Sequence, residues 1–264
     1  MACTVGFVGA GNMGGAILSG MIEKGGFDSS SVYVNDYVIS ERVKKLNINV
    51  TNLSDLVNKS DYIILCVKPN AIVSVLNDIK NIKGYESKVF VSIAAGIKIS
   101  SIKDILGDVK VVRIMPNLPL TAGEGMTVLC RCKKITDSEF DFVSGIFSGS
   151  GEILESGENL IDACTAINGS GPAYVFMFIE ALADAAVKNG IKRADAYTLA
   201  AQTVLGSAKM LIETGMHPGE LKDMVCSPGG TTIAAVAALE ENGFRHAVIS
   251  AVDACAKKAS DMGK

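Results

Sequence analysis

The chain has no tryptophan, two histidines and an aromatic content of 6% in 264 residues. With only His217 and His246 available, a zinc cluster is hard to assemble, and no metal is expected. The seven cysteines (Cys3, Cys66, Cys130, Cys132, Cys164, Cys226 and Cys255) stand singly in apolar segments. Their odd number and the lack of any Cys-x-x-Cys read as buried reduced thiols, not as disulfides or metal ligands. Neither sign of charge dominates, 25 basic residues facing 28 acidic ones. That balance argues against a nucleic-acid or membrane surface and favours small-molecule chemistry. No apolar run is read as long enough to span a bilayer, and no basic leader with a cleavage site precedes the first strand-like segment; a cytoplasmic protein is expected. Low-complexity tracts and internal repeats are missing as well.

What is present begins with Val5-Gly-Phe-Val-Gly-Ala-Gly-Asn-Met-Gly-Gly15. Short β-prone residues run into Gly9, Gly11 and Gly14, and the pattern then turns helical through Ala16, Ile17, Leu18, Met21 and Ile22. This is a strand, a tight turn and a helix start. In a dinucleotide site the first glycine permits the turn, the second lets backbone amides approach a pyrophosphate, and the third lets helix and strand pack closely. The helix start then faces the phosphates with free amides and a partial positive charge.

Downstream, Ser31 to Asn35 reads as a second strand ending in Asn35-Asp36. A carboxylate there would accept from a ribose hydroxyl and repel a 2′-phosphate, although an Asn-Asp pair is equally a turn former. Arg42 follows and could meet a phosphate, so cofactor choice stays open. Ile48 to Val50 predicts a short strand, Ser54 to Lys59 a short helix with Ser54 as its N-cap, and Tyr62 to Val67 a buried parallel strand stopped at Lys68-Pro69. Val89 to Ile93 repeats the theme and ends in Ala94-Ala95-Gly96. Lys110 to Met115, Gly125 to Arg131 and Glu152 to Leu154 complete the strands, with a helix over Asp137 to Phe147. Strands alternating with helical crossovers predict an α/β fold, a doubly wound and mainly parallel sheet ending near Glu155.

From Glu158 the strand signal disappears. Helices are predicted from Gly171-Pro172 to Lys188, from Ala194 to Thr214, from Pro218 to Val225, from Thr231 to Glu241 and from Phe244 to Ser260. The expected division is residues 1–157 for the dinucleotide-binding domain and 158–264 for an all-helical domain. Tyr174 to Ile179 are consecutive and apolar, or aromatic, around every side of their helix. About a hundred residues of bundle cannot bury such a helix alone, which predicts a homodimer through this half.

The second informative stretch is Leu221 to Thr232, which sets hydroxyls and glycine amides before a helix. Such a start suits a small carboxylate. Thr231 or Thr232 acting simply as an N-cap is the competing reading.

Taken together, Gly6 to Gly14, Val67-Lys68-Pro69, Ile93 to Gly96, Met115-Pro116-Asn117, Gly169 to Tyr174 and Ser227 to Thr232 occur in the order that resembles the pyrroline-5-carboxylate reductases. The likeness spans essentially the whole chain, and the Ser-Pro-Gly-Gly-x-Thr turn is its most specific part. It implies an N-terminal Rossmann-like sheet, a helical dimerisation domain, and an oxidoreductase that reduces 1-pyrroline-5-carboxylate to L-proline in proline biosynthesis. NADPH is the implied cofactor, with NADH as the other candidate. Rings of dimers in some relatives extend the expectation from a homodimer to a decamer.

By position, the resemblance assigns the cofactor to Val8, Gly9, Ala10, Gly11, Asn12, Met13, Asn35, Asp36, Ser54, Cys66, Val67, Lys68, Pro69, Ile93, Ala94 and Ala95. It assigns the substrate to Ser227, Gly229, Gly230, Thr231 and Thr232, with Glu158 near the site. Thr232 is the candidate catalytic contact to the imine nitrogen, while Ser227 and the amides of Gly230 and Thr231 take the carboxylate. Two departures matter: Met224 stands where members often have asparagine, and Asp36-Tyr37 weakens, without excluding, a strict preference for the phosphorylated cofactor. A β-hydroxyacid dehydrogenase is the alternative enzyme, but the nearest lysine after Gly169-Ser-Gly-Pro172 is Lys188. A cofactor-binding scaffold without turnover is the non-enzymatic alternative.

Overall fold

Eight short segments rich in β-branched and aromatic residues pair into one sheet: β1 (Val5–Val8), β2 (Val32–Asn35), β3 (Asn49–Val50), β4 (Tyr62–Leu65), β5 (Val89–Ser92), β6 (Lys110–Met115), β7 (Gly125–Arg131) and β8 (Gly151–Glu155). The structure is a computed structural model and describes residues 3–262. Strand order is β3-β2-β1-β4-β5-β6-β7-β8, and every neighbouring pair is parallel except β6 with β7. The first six strands follow the doubly wound order, with the reversal of winding between β1 and β4. The predicted α/β sheet is therefore present.

β1, β4 and β5 are buried at every position, which is why they read as continuous apolar runs. Alternate residues along a strand enter different cores. Tyr62 and Ile64 pack with Phe7, Ile17 and Phe147, whereas Ile63 and Leu65 pack with Leu56, Leu76 and Phe90. Those are the two faces of the pleat.

The covering helices are α1 (Asn12–Ser19), α2 (Glu41–Lys44), α3 (Leu53–Lys59), α4 (Ile72–Lys80), α5 (Ile99–Leu106), α6 (Asp137–Ser148) and α7 (Ile161–Cys164). Thr136 starts α6 with a full capping box to Glu139. Three local expectations change. Asn52, not Ser54, caps α3 by accepting from Asp55 N–H at 2.9 Å, so Ser54 stands in the first turn. Ser31 belongs to a tight turn capped by Asp28 and β2 begins at Val32. The run through Val67 leaves the strand after Leu65, where the chain turns toward Pro69.

This unit takes in residues up to Ser170 and those from Cys255 onward; a second comprises Gly171–Ala254. The second is wholly helical, with α8 (Gly171–Lys188), α9 (Arg193–Thr214), α10 (Pro218–Val225) and α11 (Thr231–Glu241), and most of α12 (Phe244–Met262). Its interior is small: Ala183, Ala196 and Ala200 are its buried core, against which Ile179, Leu182 and Val187 pack. Val175, Phe176, Met177 and Phe178 stay exposed. The stretch Glu158–Lys188 is, by length and composition alone, apolar enough to cross a bilayer, contrary to the expectation that no such run exists. Small residues such as Ala and Gly keep the whole stretch apolar while its few charges are spread along it.

Candidate active site

The residues assigned to the cofactor gather at the carboxyl edge of the sheet, beside the reversal of winding. Val8 is level with Asn35 on one side and with Leu65 on the other, and Leu65 is level with Ser92. Hydrogen bonds carry this alignment past the strands: Gly9 N–H donates to Asn35 O and Cys66 N–H to Val8 O, both at 2.8 Å. Gly9, Asp36, Cys66 and Ile93 thus leave the sheet at one level, where open α/β sheets bind ligands.

The three glycines are needed for different reasons. Gly9 has φ +96°, and a Cβ there would meet the Cys66 carbonyl at 2.9 Å. A Cβ on Gly14 would lie 2.7 Å from Gly9 O, so the third glycine lets α1 press onto the loop. Gly11 is different: nothing lies within 4 Å of its missing side chain. It is the N-cap of α1, has no side-chain cap, and is exposed, as is Asn12. Bare amides at a helix start, with open space before them, fit a pyrophosphate.

Around this loop, Ala10 N–H donates to Asp36 Oδ2 at 2.5 Å. Asn35 Nδ2 donates to Thr51 O, tying the end of β2 to the lead-in of α3, where Ser54 is exposed. Cys66 packs against the core, and burial, with a smaller contribution from the Asp36 charge, pushes its thiol above the usual range. Lys68 and Pro69 are exposed at the end of β4. Past β5, Ala94 is buried and Ala95 exposed, a flat and side-chain-poor edge.

Glu158 has defined partners in the same unit. Its Oε1 accepts from Ile99 N–H at 2.7 Å, at the start of α5, and from Arg113 Nη1 at 3.4 Å. Arg113, only 4% exposed, also donates to Asp162 Oδ1 at 3.2 Å. Sequence reading missed this buried cation; its signal is a lone arginine inside the apolar strand Val111-Val112-Arg113-Ile114. It also missed Asn168, whose Nδ2 donates to Met115 O and Met126 O and pins the ends of β6 and β7. A groove of about 1030 Å³ along Ile99, Lys103, Arg131 and Glu155 shares Glu158 with the predicted set. Two of its cations are neutralised locally, Lys103 by Asp108 and Arg131 by Asp137 and Glu155.

In the helical unit, Ser227 to Gly230 forms a turn closed by Gly230 N–H donating to Ser227 O at 3.0 Å. That bond corrects one expectation: the Gly230 amide is already in use, so the free donors are those of Thr231 and the residues after it. Gly230 is the N-cap of α11 and no side chain caps it. The hydroxyls of Thr231 and Thr232 are therefore not spent on capping. Ser227, Gly229 and Thr231 are exposed and Thr232 is half-buried. Among the described residues, no group of three or more His, Cys, Asp or Glu could hold a metal.

Comparison with known proteins finds two family matches along the chain. Residues 158–262 match the family described as pyrroline-5-carboxylate reductase dimerisation, and residues 4–96 match that of NADP oxidoreductase, coenzyme F420-dependent. The pyrroline-5-carboxylate reductase of Escherichia coli is 45% identical, and that of Methanosarcina acetivorans 44%, each aligned over 98% of both chains. The crystal structure of Plasmodium falciparum pyrroline carboxylate reductase with NADP bound superposes with a TM-score of 0.89 at 35% identity, covering 99% of this chain and 98% of that one. The corresponding Coxiella burnetii reductase superposes with a TM-score of 0.93 at 31% identity over the whole of both chains. Identity at this level over nearly the full length of both proteins makes the chain a member of the pyrroline-5-carboxylate reductase family.

Proposed function

We propose that the chain reduces 1-pyrroline-5-carboxylate to L-proline with NADPH or NADH, as a soluble cytoplasmic enzyme. The observation that carries the substrate side is the uncapped start of α11, with free amides, two threonine hydroxyls and Ser227 beside it. A small carboxylate satisfies such a terminus, and the dipole of α11 favours its charge. The bound nicotinamide supplies the hydride.

In this reading Ser227 and the Thr231 amide take the substrate carboxylate, and the turn of Gly229 and Gly230 brings the backbone close to it. Gly229 has φ +68°, so the turn itself selects glycine. Thr232 donates to, or orients, the imine nitrogen, which is far more electrophilic when protonated. Holding the imine carbon in reach of a hydride donor supplies much of the rate, without a nucleophile. At the other helix start, the amides from Gly11 to Met13 hold the pyrophosphate, Asn35, Asp36 and Ser54 border the adenosine half, and Cys66 to Pro69 with Ile93 to Ala95 border the nicotinamide half. Glu158 enters as a positioning residue, since its carboxylate already accepts from Ile99 N–H and Arg113.

The functional division is proposed at residues 157 and 158. The exposed apolar residues of α8 support a homodimer through the helical domain, with a decamer of five dimers as the larger assembly. The experiment is to follow NADPH and NADH oxidation with 1-pyrroline-5-carboxylate beside a panel of hydroxyacids and ketoacids. Oxidation with the cyclic imine alone is the expected result. Turnover confined to the panel would move the chain to the hydroxyacid dehydrogenases, and binding without oxidation would make it a scaffold.

A further inference from the structure

We propose that Asp36 makes NADH the tighter-binding reductant of this chain, by holding a fixed and unpaired negative charge where the second strand meets an adenosine ribose. The inference rests on the reading above that a nicotinamide dinucleotide is bound. At the end of β2, a carboxylate accepts from a ribose 2′-hydroxyl, whereas accommodating a 2′-phosphate calls for a cation.

Three observations carry it. First, Asp36 directly follows β2, whose last residue Asn35 is level with Val8, so the carboxylate stands beside the glycine loop. Second, it is held there. Oδ2 accepts from Ala10 N–H at 2.5 Å, and Oδ1 from Val38 N–H at the long distance of 3.3 Å. The loop that is to carry the pyrophosphate thus fixes the carboxylate, while Oδ1 keeps capacity for a hydroxyl donor. Third, no cation offsets it. Among the described residues no ion pair reaches Asp36. Of the basic residues that follow, Arg42 donates from Nε to Ser19 Oγ at 2.8 Å and Lys44 pairs with Glu41 at 2.7 Å.

The flank of this carboxylate is also unusual. Tyr37 and Val38 are 106% and 77% exposed, a large apolar surface that an adenine ring would cover. A 2′-phosphate bound here brings close to two further negative charges against a carboxylate that cannot swing away. NADPH still binds through everything it shares with NADH, but more weakly.

The test is equilibrium binding to the full chain, read from the fluorescence of NADH and NADPH and by calorimetry for the oxidised forms. The chain has no tryptophan to complicate the fluorescence. NADH should bind at least about tenfold tighter than NADPH, and 5′-AMP should compete better than 2′,5′-ADP. In Asp36→Asn and Asp36→Ser the ratio should fall to within about threefold of unity, mainly through tighter NADPH. Equal or tighter NADPH binding by the unaltered chain overturns the proposal, and so does a ratio unchanged in both variants. The unaltered chain and the nucleotide competition need no variant to fold. If neither dinucleotide binds, the cofactor reading itself fails and takes this inference with it; if both bind and NADPH is preferred, only this inference fails.

Discussion

Phe7, Phe90 and Phe147 of the sheet unit are at most 1% exposed, while Phe176, Met177 and Ile212 of the helical unit are 56%, 70% and 76% exposed. The sheet unit has two cores, one on each face of the pleat, and buries its largest apolar side chains in them. The helical unit buries three alanines. Helices rich in Ala approach closely and leave their large side chains on the outside, so the missing part of its core must come from elsewhere. The difference teaches that the two halves store information differently. One half is specified by its own packing, and the other leaves a large apolar surface that its own chain does not cover.

Truncating an interior residue of the self-contained half gives the largest expected effect. Phe90→Ala should cost about 3–5 kcal/mol in denaturant unfolding, from lost burial and the cavity left between α4, α5 and β5. A cost under about 1 kcal/mol would mean that this core is looser than its burial indicates.

Next comes the chemistry of the helical half. Thr232→Ala should lower kcat/KM by about 10² or more with little change in melting temperature, because the hydroxyl caps no helix and touches no core. Near-normal turnover would remove Thr232 from the mechanism.

Smaller again is the effect of trimming the exposed face. Phe176→Ala should leave the sheet unit's fold intact but shift the dimer toward monomer about tenfold or more by sedimentation, as a central aromatic of an interface does. The melting temperature should then depend on protein concentration. A chain already monomeric at micromolar concentration would show that α8 is covered by something other than a second copy.

The same contrast explains what could be read from the sequence. β1, β4 and β5 were legible because burial on both faces turns them into unbroken apolar runs, and α11 because its start and end are marked by Gly230 and Asn242. The uncovered face of α8 was legible from Tyr174 to Ile179, because a helix apolar on all sides cannot be covered within a small bundle. What escaped depends on partners distant in sequence. Arg113 meets Glu158 and Asp162 across 45 and 49 residues, and nothing local marks Glu158 as the residue that accepts from the start of α5. Ser54 was misjudged as a cap because two candidates, Asn52 and Ser54, lie two residues apart and only the backbone path decides between them.

In the glycine loop the third glycine serves the fold, and substitution of the second should barely alter stability, which separates folding from binding at nearby positions. Gly14→Ala drives a Cβ to within 2.7 Å of Gly9 O, a backbone atom that cannot yield cheaply, so it should destabilise the sheet unit measurably. Gly11→Ala meets no atom within 4 Å and sits at φ −64°, which any residue adopts. Its thermal stability should therefore change by less than about 1 kcal/mol, the modest cost of alanine at an N-cap. Yet in the proposed reading the open space before Gly11 lets phosphates reach the first turn of α1. Dinucleotide affinity should fall about tenfold or more, measured by calorimetry on a protein that melts almost normally. Equal affinity in Gly11→Ala would mean that the phosphates do not approach this amide, and that the second glycine, unlike the third, is needed neither for the fold nor for binding.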